Sequence, residues 1–496
     1  MASKCTAENR LIAVVDIGSN SVRLVVYRGL KRSPDNIFNE RVLCGLAAGV
    51  TATGRMAEDS MAQALAALRR FAHLCRDMQV DQVIAVATAA VRDSANGQAF
   101  VQQVRRECGF KVRVLPGLEE AELSAYGVLS GFPGASGVMG DLGGGSLELA
   151  RIEDGRVSQR VSLPIGPLRL LQGNKSYGPG QVRQISAALA EVEWLQRSPG
   201  CEFFMVGGSW RALAHIHILD SDWPLHVLHG YRLGGNKAVR FSNRIAERSV
   251  DSLKAAPGVA SRRALMLPLS AKILGTVLQI IKAPVVHTSA CGLRDGLLYQ
   301  ALPPRVRVDD PLLAHVREFS RRTARFEDHG RLLSKWMDPV FADESENDRR
   351  LRRAACHCSD ISWNAHPDFK ADLAFTRTLV MRYVGVTHPE RVQIALSLFI
   401  AYGGSLKAKS LKKVLKICRP HEIERAVTHG LAIALGLRLT GGTGEPLKRT
   451  ALLLQEGRLV LAIPAEGEDL AGGLVMKRLE SLAAQLGRAA EIKITS

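Results

Sequence analysis

Residues 12–24 read IAVVDIGSNSVRL, and residues 137–149 read GVMGDLGGGSLEL. Each stretch is an apolar strand that ends in an acid, then a turn of Gly, Ser or Asn, then a second strand. The pattern D-x-G-x-x-S therefore occurs twice, at residues 16–21 and 141–146. Glycine lets the backbone approach a ligand, and successive N–H groups in such a turn form a nest for an anion. The repetition predicts two phosphate-binding loops, one in each half of the fold; two ordinary hairpins with Gly-rich turns are the alternative.

The two turns and the acids beside them form the candidate phosphate and metal site. The turns would donate hydrogen bonds to a phosphoryl group, and carboxylates on the flanking strands would reach one divalent cation, such as Mg²⁺, directly or through water. The phosphate-binding candidates are Gly18, Ser19, Asn20, Ser21, Gly143, Gly144, Gly145 and Ser146, and the metal-binding candidates are Asp141, Glu148 and Asp16.

Three further positions have both a functional and a structural interpretation. Glu119 and Glu120 begin a predicted helix, where acids also complement the helix dipole. Arg92 lies between a strand end and a turn, where it would bind a phosphate oxygen or simply be solvated. Gly207, Gly208 and Ser209 are further phosphate-binding candidates, which would approach a nucleotide base or sugar or form a tight strand-to-helix turn.

Length and composition limit the class of protein. A chain of 496 residues is too long for one hydrophobic core and predicts three or four domains. Hydrophobic content of 46% and charged content of 23% are typical of soluble globular proteins. No apolar run is long enough to span a bilayer, and the first ten residues lack a signal core, so we expect a cytoplasmic protein without membrane contact. Nine cysteines without zinc-ligand spacing fit that compartment.

The chain is strongly basic. It has 66 Lys and Arg against 48 Asp and Glu, a net charge of +18, which would attract polyanions or only aid solubility. Aromatic residues are 5% of the chain and do not interleave with the basic clusters, which argues against stacking on single-stranded nucleic acid. The clusters lie in the C-terminal part, at Arg317, Arg321, Arg322 and Arg325, at Arg349, Arg350, Arg352 and Arg353, and at Lys407, Lys409, Lys412, Lys413 and Lys416.

Hydrophobic periodicity predicts the arrangement of the elements. Strand and helix patterns alternate up to about residue 300, and the second half repeats the order of the first, which indicates two α/β domains facing a ligand cleft. We expect a third strand near 41–45, a helix near 178–196 and a long helical stretch over 259–282. Helices follow to about residue 440, then a small α/β cap. The predicted domains are 1–130, 131–304, 305–440 and 441–496.

The chain resembles the exopolyphosphatase / guanosine pentaphosphate phosphohydrolase family, which has the actin-like ATPase fold. The resemblance covers roughly residues 10–300 and implies two actin-like (ribonuclease H-like) lobes with a central cleft, in a homodimer. The motifs that carry it, in this order, are V-D-I-G-S-N-S-V-R-L, A-T-A-A-V-R-D-S-A-N, G-L-E-E-A-E-L, G-D-L-G-G-G-S-L-E-L and V-G-G-S-W-R-A-L.

The resemblance implies roles for the motif residues. Glu120 would activate the attacking water, and Asp141 and Glu148 would serve Mg²⁺, with a monovalent cation such as K⁺ as a further candidate. Ser146, the turn at 143–145, Asn20, Ser21 and Arg92 would bind the terminal phosphates.

Three functions follow as alternatives. The first is an exopolyphosphatase that removes terminal phosphates from inorganic polyphosphate. The second is a guanosine pentaphosphate 5′-phosphohydrolase, an activity that could coexist with the first and to which guanosine tetraphosphate could bind as an inhibitor. The third is a non-enzymatic protein that binds RNA or polyphosphate through its positive charge.

The helical C-terminal part resembles the family's degenerate HD-type domain. Asp328-His329-Gly330 matches an early His of that domain, but His357-Cys358 stands where a metal site would show His-Asp, and Asp360 is out of place. We therefore expect neither a metal site nor a second hydrolase activity there. The cluster Arg349, Arg350, Arg352 and Arg353 would instead guide a long polyanion, with a plain solvated helix face as the alternative.

Overall fold

The structure is a computed structural model that describes residues 10–495 except 173 and 175. The N-terminal segment on which the expectation against export depends therefore lies largely outside the described residues. The chain divides into two compact units, Met1–Asp309 and Asp310–Ser496. Each unit is described by itself below. Among the described residues, no helix has the length and apolar character that crossing a membrane requires.

The first lobe of unit one is built on a five-stranded sheet. Its central strand reads LIAVVDI and is apolar on both faces, as expected for a strand covered on both sides. The strands are β1 (Leu11–Ile17), β2 (Ser21–Arg28), β3 (Asp35–Leu43), β4 (Gln82–Ala87) and β5 (Val112–Val114). Their order is β3-β2-β1-β4-β5, with β1 to β3 antiparallel and β4 and β5 parallel to β1.

The second lobe repeats this sheet and adds one strand. The strands are β6 (Gly137–Leu142), β7 (Leu147–Glu153), β8 (Arg156–Leu163), β9 (Phe203–Val206), β10 (Arg232–Gly234) and β11 (Val285–Thr288). Their order is β10-β11-β9-β6-β7-β8. The run β8-β7-β6-β9-β11 has the same pairings as β3-β2-β1-β4-β5. The predicted repeat of two α/β lobes is thus confirmed.

Helices connect and cover these strands. In unit one they are α1 (Val50–Thr53), α2 (Glu58–Asp77), α3 (Ala89–Arg92), α4 (Gly97–Cys108), α5 (Gly117–Gly131), α6 (Pro167–Leu171), α7 (Pro179–Ala190), α8 (Glu193–Gln196), α9 (Gly208–Asp220), α10 (Gly235–Ala246), α11 (Val250–Lys254), α12 (Ser261–Ala264), α13 (Leu267–Ile281), α14 (Leu293–Ala301) and α15 (Pro304–Arg307).

Three elements differ from their predictions. The helix predicted over 178–196 is interrupted because Val192 has non-helical dihedral angles, which bring it into the core of the second lobe. The stretch predicted over 259–282 is two helices, since Pro268 has no N–H to continue the hydrogen bonding of α12. The strand β3 begins earlier than predicted because its half-buried and exposed residues alternate, which weakens its apolar signal.

One helix packs against both lobes. Leu123 of α5 lies in an apolar cluster with Val14 and Val86 of the first sheet. Val128 of α5 lies in another cluster with Met139 of the second sheet. The N-terminal turn of α5 carries the candidate Glu120, so this helix places that residue relative to both lobes.

Unit two combines helices with a small sheet. Its helices are α16 (Pro311–Thr323), α17 (His329–Met337), α18 (Glu346–His357), α19 (Lys370–Val380), α20 (His388–Ala401), α21 (Pro420–Thr440), α22 (Glu445–Arg449) and α23 (Gly473–Gln485), and short 3-10 turns lie at Asp338–Phe341, Pro367–Phe369, Lys409–Leu411, Val414–Ile417 and Ala465–Leu470. The strands β12 (Ala451–Gln455), β13 (Arg458–Pro464) and β14 (Ala489–Thr495) form its sheet. One apolar cluster includes Leu398 of the helical part with Leu461 and Leu482 of the C-terminal part, so these parts share a core.

Candidate active site

The two Gly-rich turns meet in unit one. In each turn the first glycine donates its N–H to the carbonyl of the serine three residues later, Gly18 to Ser21 and Gly143 to Ser146, both at 3.0 Å. The turns also touch, because a Cβ placed on Gly144 would lie 3.4 Å from the Cβ of Ser19. The D-x-G-x-x-S repeat therefore corresponds to two turns of matching hydrogen bonding that lie against each other.

Glu120 lies in the first turn of α5 beside an arginine of the first lobe. The Arg92 Nη1 atom donates to Glu120 Oε2 at 3.1 Å and to the Leu115 carbonyl at 3.1 Å, and its Nε donates to Asp93 at 3.0 Å. Burial raises the pKa of Glu120 well above its usual range, the nearby Glu148 carboxylate adds to this, and Arg92 opposes it. A buried carboxylate held by one arginine is suited to orient a water molecule and accept its proton.

Asp141 and Glu148 are directly opposite each other on β6 and β7, so their side chains lie on the same face of the sheet. The Ser124 hydroxyl donates to Asp141 Oδ2 at 2.6 Å, and the Ser162 hydroxyl donates to Glu148 Oε1 at 2.9 Å. Burial raises the pKa of Asp141. Burial also raises the pKa of Glu148 to about 7, a shift that the Asp141 charge increases and the Ser146 hydroxyl reduces.

The carboxylates of Asp141 and Glu148 suit a hard divalent cation, whereas the Asp16 carboxylate is bound to an arginine. The half-buried Asp141 and the buried Glu148 are adjacent carboxylates, and carboxylate oxygens are donors of the kind that Mg²⁺ prefers. Asp16 instead forms an ion pair with Arg294, with Nη1 and Oδ2 2.6 Å apart, which argues against its predicted role as a metal ligand. No group of three or more His, Cys, Asp or Glu side chains in the described part of the chain could hold a metal by itself. A cation at Asp141 and Glu148 would therefore need water and substrate oxygens as well.

The predicted loop at residues 207–209 lies against the end of β6. Gly207 has a φ of 96°, and a Cβ there would lie 2.5 Å from the Leu142 carbonyl oxygen and 3.0 Å from Asp141 Oδ1. Only glycine allows this approach. A Cβ on Gly208 would lie 3.9 Å from Arg263 Nη2, so the loop also borders a basic group.

Five further arginines, none of them named as a candidate above, lie near Asp16 or Asp141 or beside one another. Burial lowers the pKa of Arg23 to about 10, and the charges of Arg294 and Arg211 add to that effect. Burial and the charges of Arg263, Arg211 and Arg294 likewise lower the pKa of Arg41. These residues come from β2, β3, α9, α12 and α14, so both lobes contribute. Arg23 and Arg211 stand inside the quoted family motifs, which was the signal available in the sequence.

A large cavity lies beside the first turn. It has a volume of about 1250 Å³ and is bordered by Asn20. Its lining includes small residues around Ala48, the apolar Leu168, Leu265 and Met266, and the charged Asp59, Asp251 and Lys254. Its walls are mainly apolar, unlike the crevice that holds the acids and arginines.

The candidates of unit two differ from one another in exposure. Arg352 is fully buried, and its Nη2 atom lies 2.5 Å from Glu344 Oε1 and 2.7 Å from Asp338 Oδ1. Arg350 pairs with Asp310 at 2.5 Å. The prediction that Arg352 guides a polyanion is therefore wrong, because burial and two carboxylates keep its charge from solvent.

The residues of the predicted HD-type pattern also have structural partners. The two ring nitrogens of His329 lie 3.4 Å from the Ser359 hydroxyl and 3.3 Å from the Thr440 hydroxyl. The Asp360 carboxylate accepts from the backbone and the guanidinium of Arg325. The HD-type assignment stays a prediction.

Comparison with known proteins identifies the family. The model of the Ppx/GppA phosphatase family matches residues 25–305, and that of the exopolyphosphatase C-terminal region matches residues 312–493. The chain belongs to the Ppx/GppA phosphatase family. The predicted resemblance is thus confirmed.

Relatives of this Ppx/GppA chain include one curated protein and several crystal structures. Retrograde regulation protein 2 of Saccharomyces cerevisiae is 26% identical over 438 residues, which is 80% of this chain and 73% of that protein. The Aquifex aeolicus member of the Ppx/GppA family is 25% identical with a TM-score of 0.51, and an exopolyphosphatase from Cytophaga hutchinsonii is 24% identical with a TM-score of 0.54. Each structure covers 59% of this chain and 97% of its own. These likenesses establish the actin-like fold.

Proposed function

We propose that this chain is an exopolyphosphatase that hydrolyses the terminal phosphoanhydride bond of inorganic polyphosphate. The observation that carries this proposal is the half-buried Glu120 carboxylate, which is held by Arg92 and lies near Glu148, the acid that Ser146 of the second turn contacts. Family membership supports a phosphatase, and the arginines from both lobes support a substrate with several phosphates.

Each role in the proposed hydrolysis is assigned to a particular group of this chain. The water oxygen bonds to the terminal phosphorus as the bridging P–O bond breaks, Glu120 accepts the water proton, and the shortened chain leaves with the bridging oxygen. The turns at residues 18–21 and 143–146 bind the terminal phosphoryl through N–H and hydroxyl groups, together with Arg92. Residues 207–209 and the arginines bind the phosphates that follow.

Asp141 and Glu148 would hold Mg²⁺, which when bound spreads the negative charge of the transferred phosphoryl group. K⁺ as a second cation, the homodimer, the cytoplasmic location and the chain guidance by Arg349 and Arg353 all stay predictions. They do not affect the assignment of Glu120.

The decisive experiment compares two neighbouring acids of α5. Glu120→Gln should lower phosphate release from long polyphosphate with Mg²⁺ by about 10²–10⁴-fold, because it removes the positioned base. Glu119→Gln is the matched control, since Glu119 pairs with Arg113 instead. Melting temperatures of both variants should equal that of the wild type. Absence of polyphosphate turnover in the wild type, or equal activity of Glu120→Gln and wild type, would contradict the proposal.

The cavity beside Asn20 favours guanosine pentaphosphate as a second candidate substrate. Its volume of about 1250 Å³ is large enough for a nucleoside, and its apolar walls suit a planar base better than a phosphate chain. Initial rates on polyphosphate and on guanosine pentaphosphate, measured side by side with one preparation, separate the candidates. A rate on the nucleotide below one hundredth of that on polyphosphate would remove the second candidate.

A further inference from the structure

The helix that carries Glu120 also carries a buried hydroxyl one turn later. Ser124 follows Glu120 by four residues on α5, so the two side chains lie on the same face of the helix. Ser124 is completely buried. The other buried positions of α5 are Ala, Leu, Val or Gly, so a hydroxyl here is the exception on an apolar surface.

This hydroxyl is directed at one acid of the candidate site. Ser124 Oγ donates to Asp141 Oδ2 at 2.6 Å, a short distance that is typical of a hydroxyl bound to a carboxylate. The opposite oxygen, Oδ1, is the one that approaches Gly207, where a Cβ would lie 3.0 Å away. The hydrogen bond therefore fixes the rotation of the Asp141 carboxylate, so that Oδ1 points towards the loop at residues 207–209.

The contact also joins two parts of the site that belong to different lobes. Glu120 is bound by Arg92 of the first lobe, whereas Asp141 stands on β6 of the second. Because α5 packs against both sheets, Ser124 connects the second lobe's acid to the helix that carries Glu120. Glu120 and the hydroxyl that binds Asp141 are therefore one helical turn apart on α5.

We propose that Ser124 is a positioning residue, which orients Asp141 relative to Glu120 for phosphoanhydride hydrolysis. This inference rests on the proposed function, because it gives Asp141 and Glu120 their roles. Ser124 does not contact the phosphates, which are assigned to the turns, Arg92 and the other arginines. Its loss should therefore lower kcat and leave KM for polyphosphate nearly unchanged.

The test uses a graded series in the full-length protein. Ser124→Ala removes the hydroxyl, and Ser124→Cys keeps its place with a weaker donor. Ser130→Ala is the control, since Ser130 is on the same helix and its hydroxyl donates to the Gly127 carbonyl. We expect kcat to fall about 10–100-fold in Ser124→Ala and less in Ser124→Cys, as is usual for groups that orient a functional side chain. KM should stay within about threefold, because Ser124 orients Asp141 and does not itself bind the phosphates.

A second readout does not depend on turnover. Mn²⁺ binding, followed by electron paramagnetic resonance of the protein without polyphosphate, should weaken about tenfold in Ser124→Ala and not in Ser130→Ala. The proposed function fails if the wild type releases no phosphate. The positioning role fails instead if the wild type is active and Ser124→Ala keeps kcat within twofold, or if Ser130→Ala loses as much. Should Ser124→Ala not fold, wild-type kcat in Ser124→Cys would equally overturn it.

Discussion

At the scale of single residues, the arginines of the crevice combine a functional role with an electrostatic cost. Burial lowers the pKa of Arg211 and of Arg263, and the nearby Arg294 charge adds to the shift at Arg211. Arg294 differs, because Asp16 compensates for its burial and raises its pKa. Positive charges gathered in a partly buried crevice repel one another until an anion binds. Their arrangement is therefore best explained by a polyanionic ligand.

The repulsion among these arginines leads to a prediction about substrate binding and stability when Arg41 or Arg263 is replaced. Replacing either by Gln should raise KM for polyphosphate about tenfold or more, because a hydrogen bond to a charged group contributes about 1.5–3 kcal/mol. The same variants should melt at an equal or higher temperature without polyphosphate, since repulsion among the arginines decreases. Steady-state kinetics and thermal unfolding measure the two effects.

Arg70→Gln is the matched control for these variants. Arg70 lies on the surface of α2 and pairs with Glu40 at 3.0 Å. It should leave KM and the melting temperature unchanged within error. A KM for Arg41→Gln and Arg263→Gln that equals that of Arg70→Gln would exclude these arginines from substrate binding.

At the scale of elements, the hairpins were predictable because their information is local. A strand, a turn rich in Gly and a second strand are specified by adjacent residues, and the acid and serine recur at the same spacing in both copies. Matching hydrogen bonds between Gly18 and Ser21 and between Gly143 and Ser146 follow from that spacing. The break of the helix predicted over 178–196 was not predictable, because burial of Val192 in the core decides it.

The turn between β9 and α9 gives a prediction about stability. Gly207→Ala should lower the free energy of unfolding of unit one by about 2 kcal/mol or more, because the backbone conformation is unfavourable for a residue with a Cβ. The Cβ would also meet the Leu142 carbonyl oxygen at 2.5 Å. Chemical denaturation followed by circular dichroism measures the change. Gly208→Ala, which meets only Arg263 Nη2 at 3.9 Å, should unfold like the wild type.

At the scale of the whole molecule, the second unit shows how a surface charge pattern can mislead. Arg349, Arg350, Arg352 and Arg353 look alike in the sequence, yet α18 turns Arg352 inward onto Glu344 and Asp338 and leaves Arg353 exposed. The helical part and the C-terminal strands also share one core, which no local pattern indicated. The burial of Arg352 and the shared core both depend on how the helices and strands of unit two pack against one another.

The polyanion prediction accordingly narrows to the exposed Arg353 and to Arg349, which is half-buried and lies 3.6 Å from Glu344. Replacing both by Gln should raise KM for long polyphosphate several-fold and change KM for chains of a few phosphates little, because long-range attraction grows with the charge of the ligand. Kinetics on chains of defined length measure this. An equal change for short and long chains would refute guidance by this cluster.

Arg352→Ala serves as the contrasting variant. It removes the nearest partner of the buried Glu344 and leaves that carboxylate only the more distant Arg349, at 3.6 Å, and His429, at 3.5 Å. We therefore expect a loss of about 3–5 kcal/mol in stability. Its melting temperature should therefore fall, whereas that of the Arg349 and Arg353 variant should not. Equal stability of the two variants would contradict the distinction between buried and exposed arginines.

The sequence by itself determined the repeated hairpins and the family, and it predicted Glu120, Asp141 and Glu148 as the candidate acids, because these features depend on residues that are neighbours in the chain. Only the tertiary structure decided which groups surround them: Arg41, Arg211, Arg263 and Arg294 come from distant segments, as does the Ser124 hydroxyl on Asp141. The physical reason is that charge repulsion, burial and hydrogen bonding act over a few ångströms in space, whereas sequence patterns report only proximity along the chain.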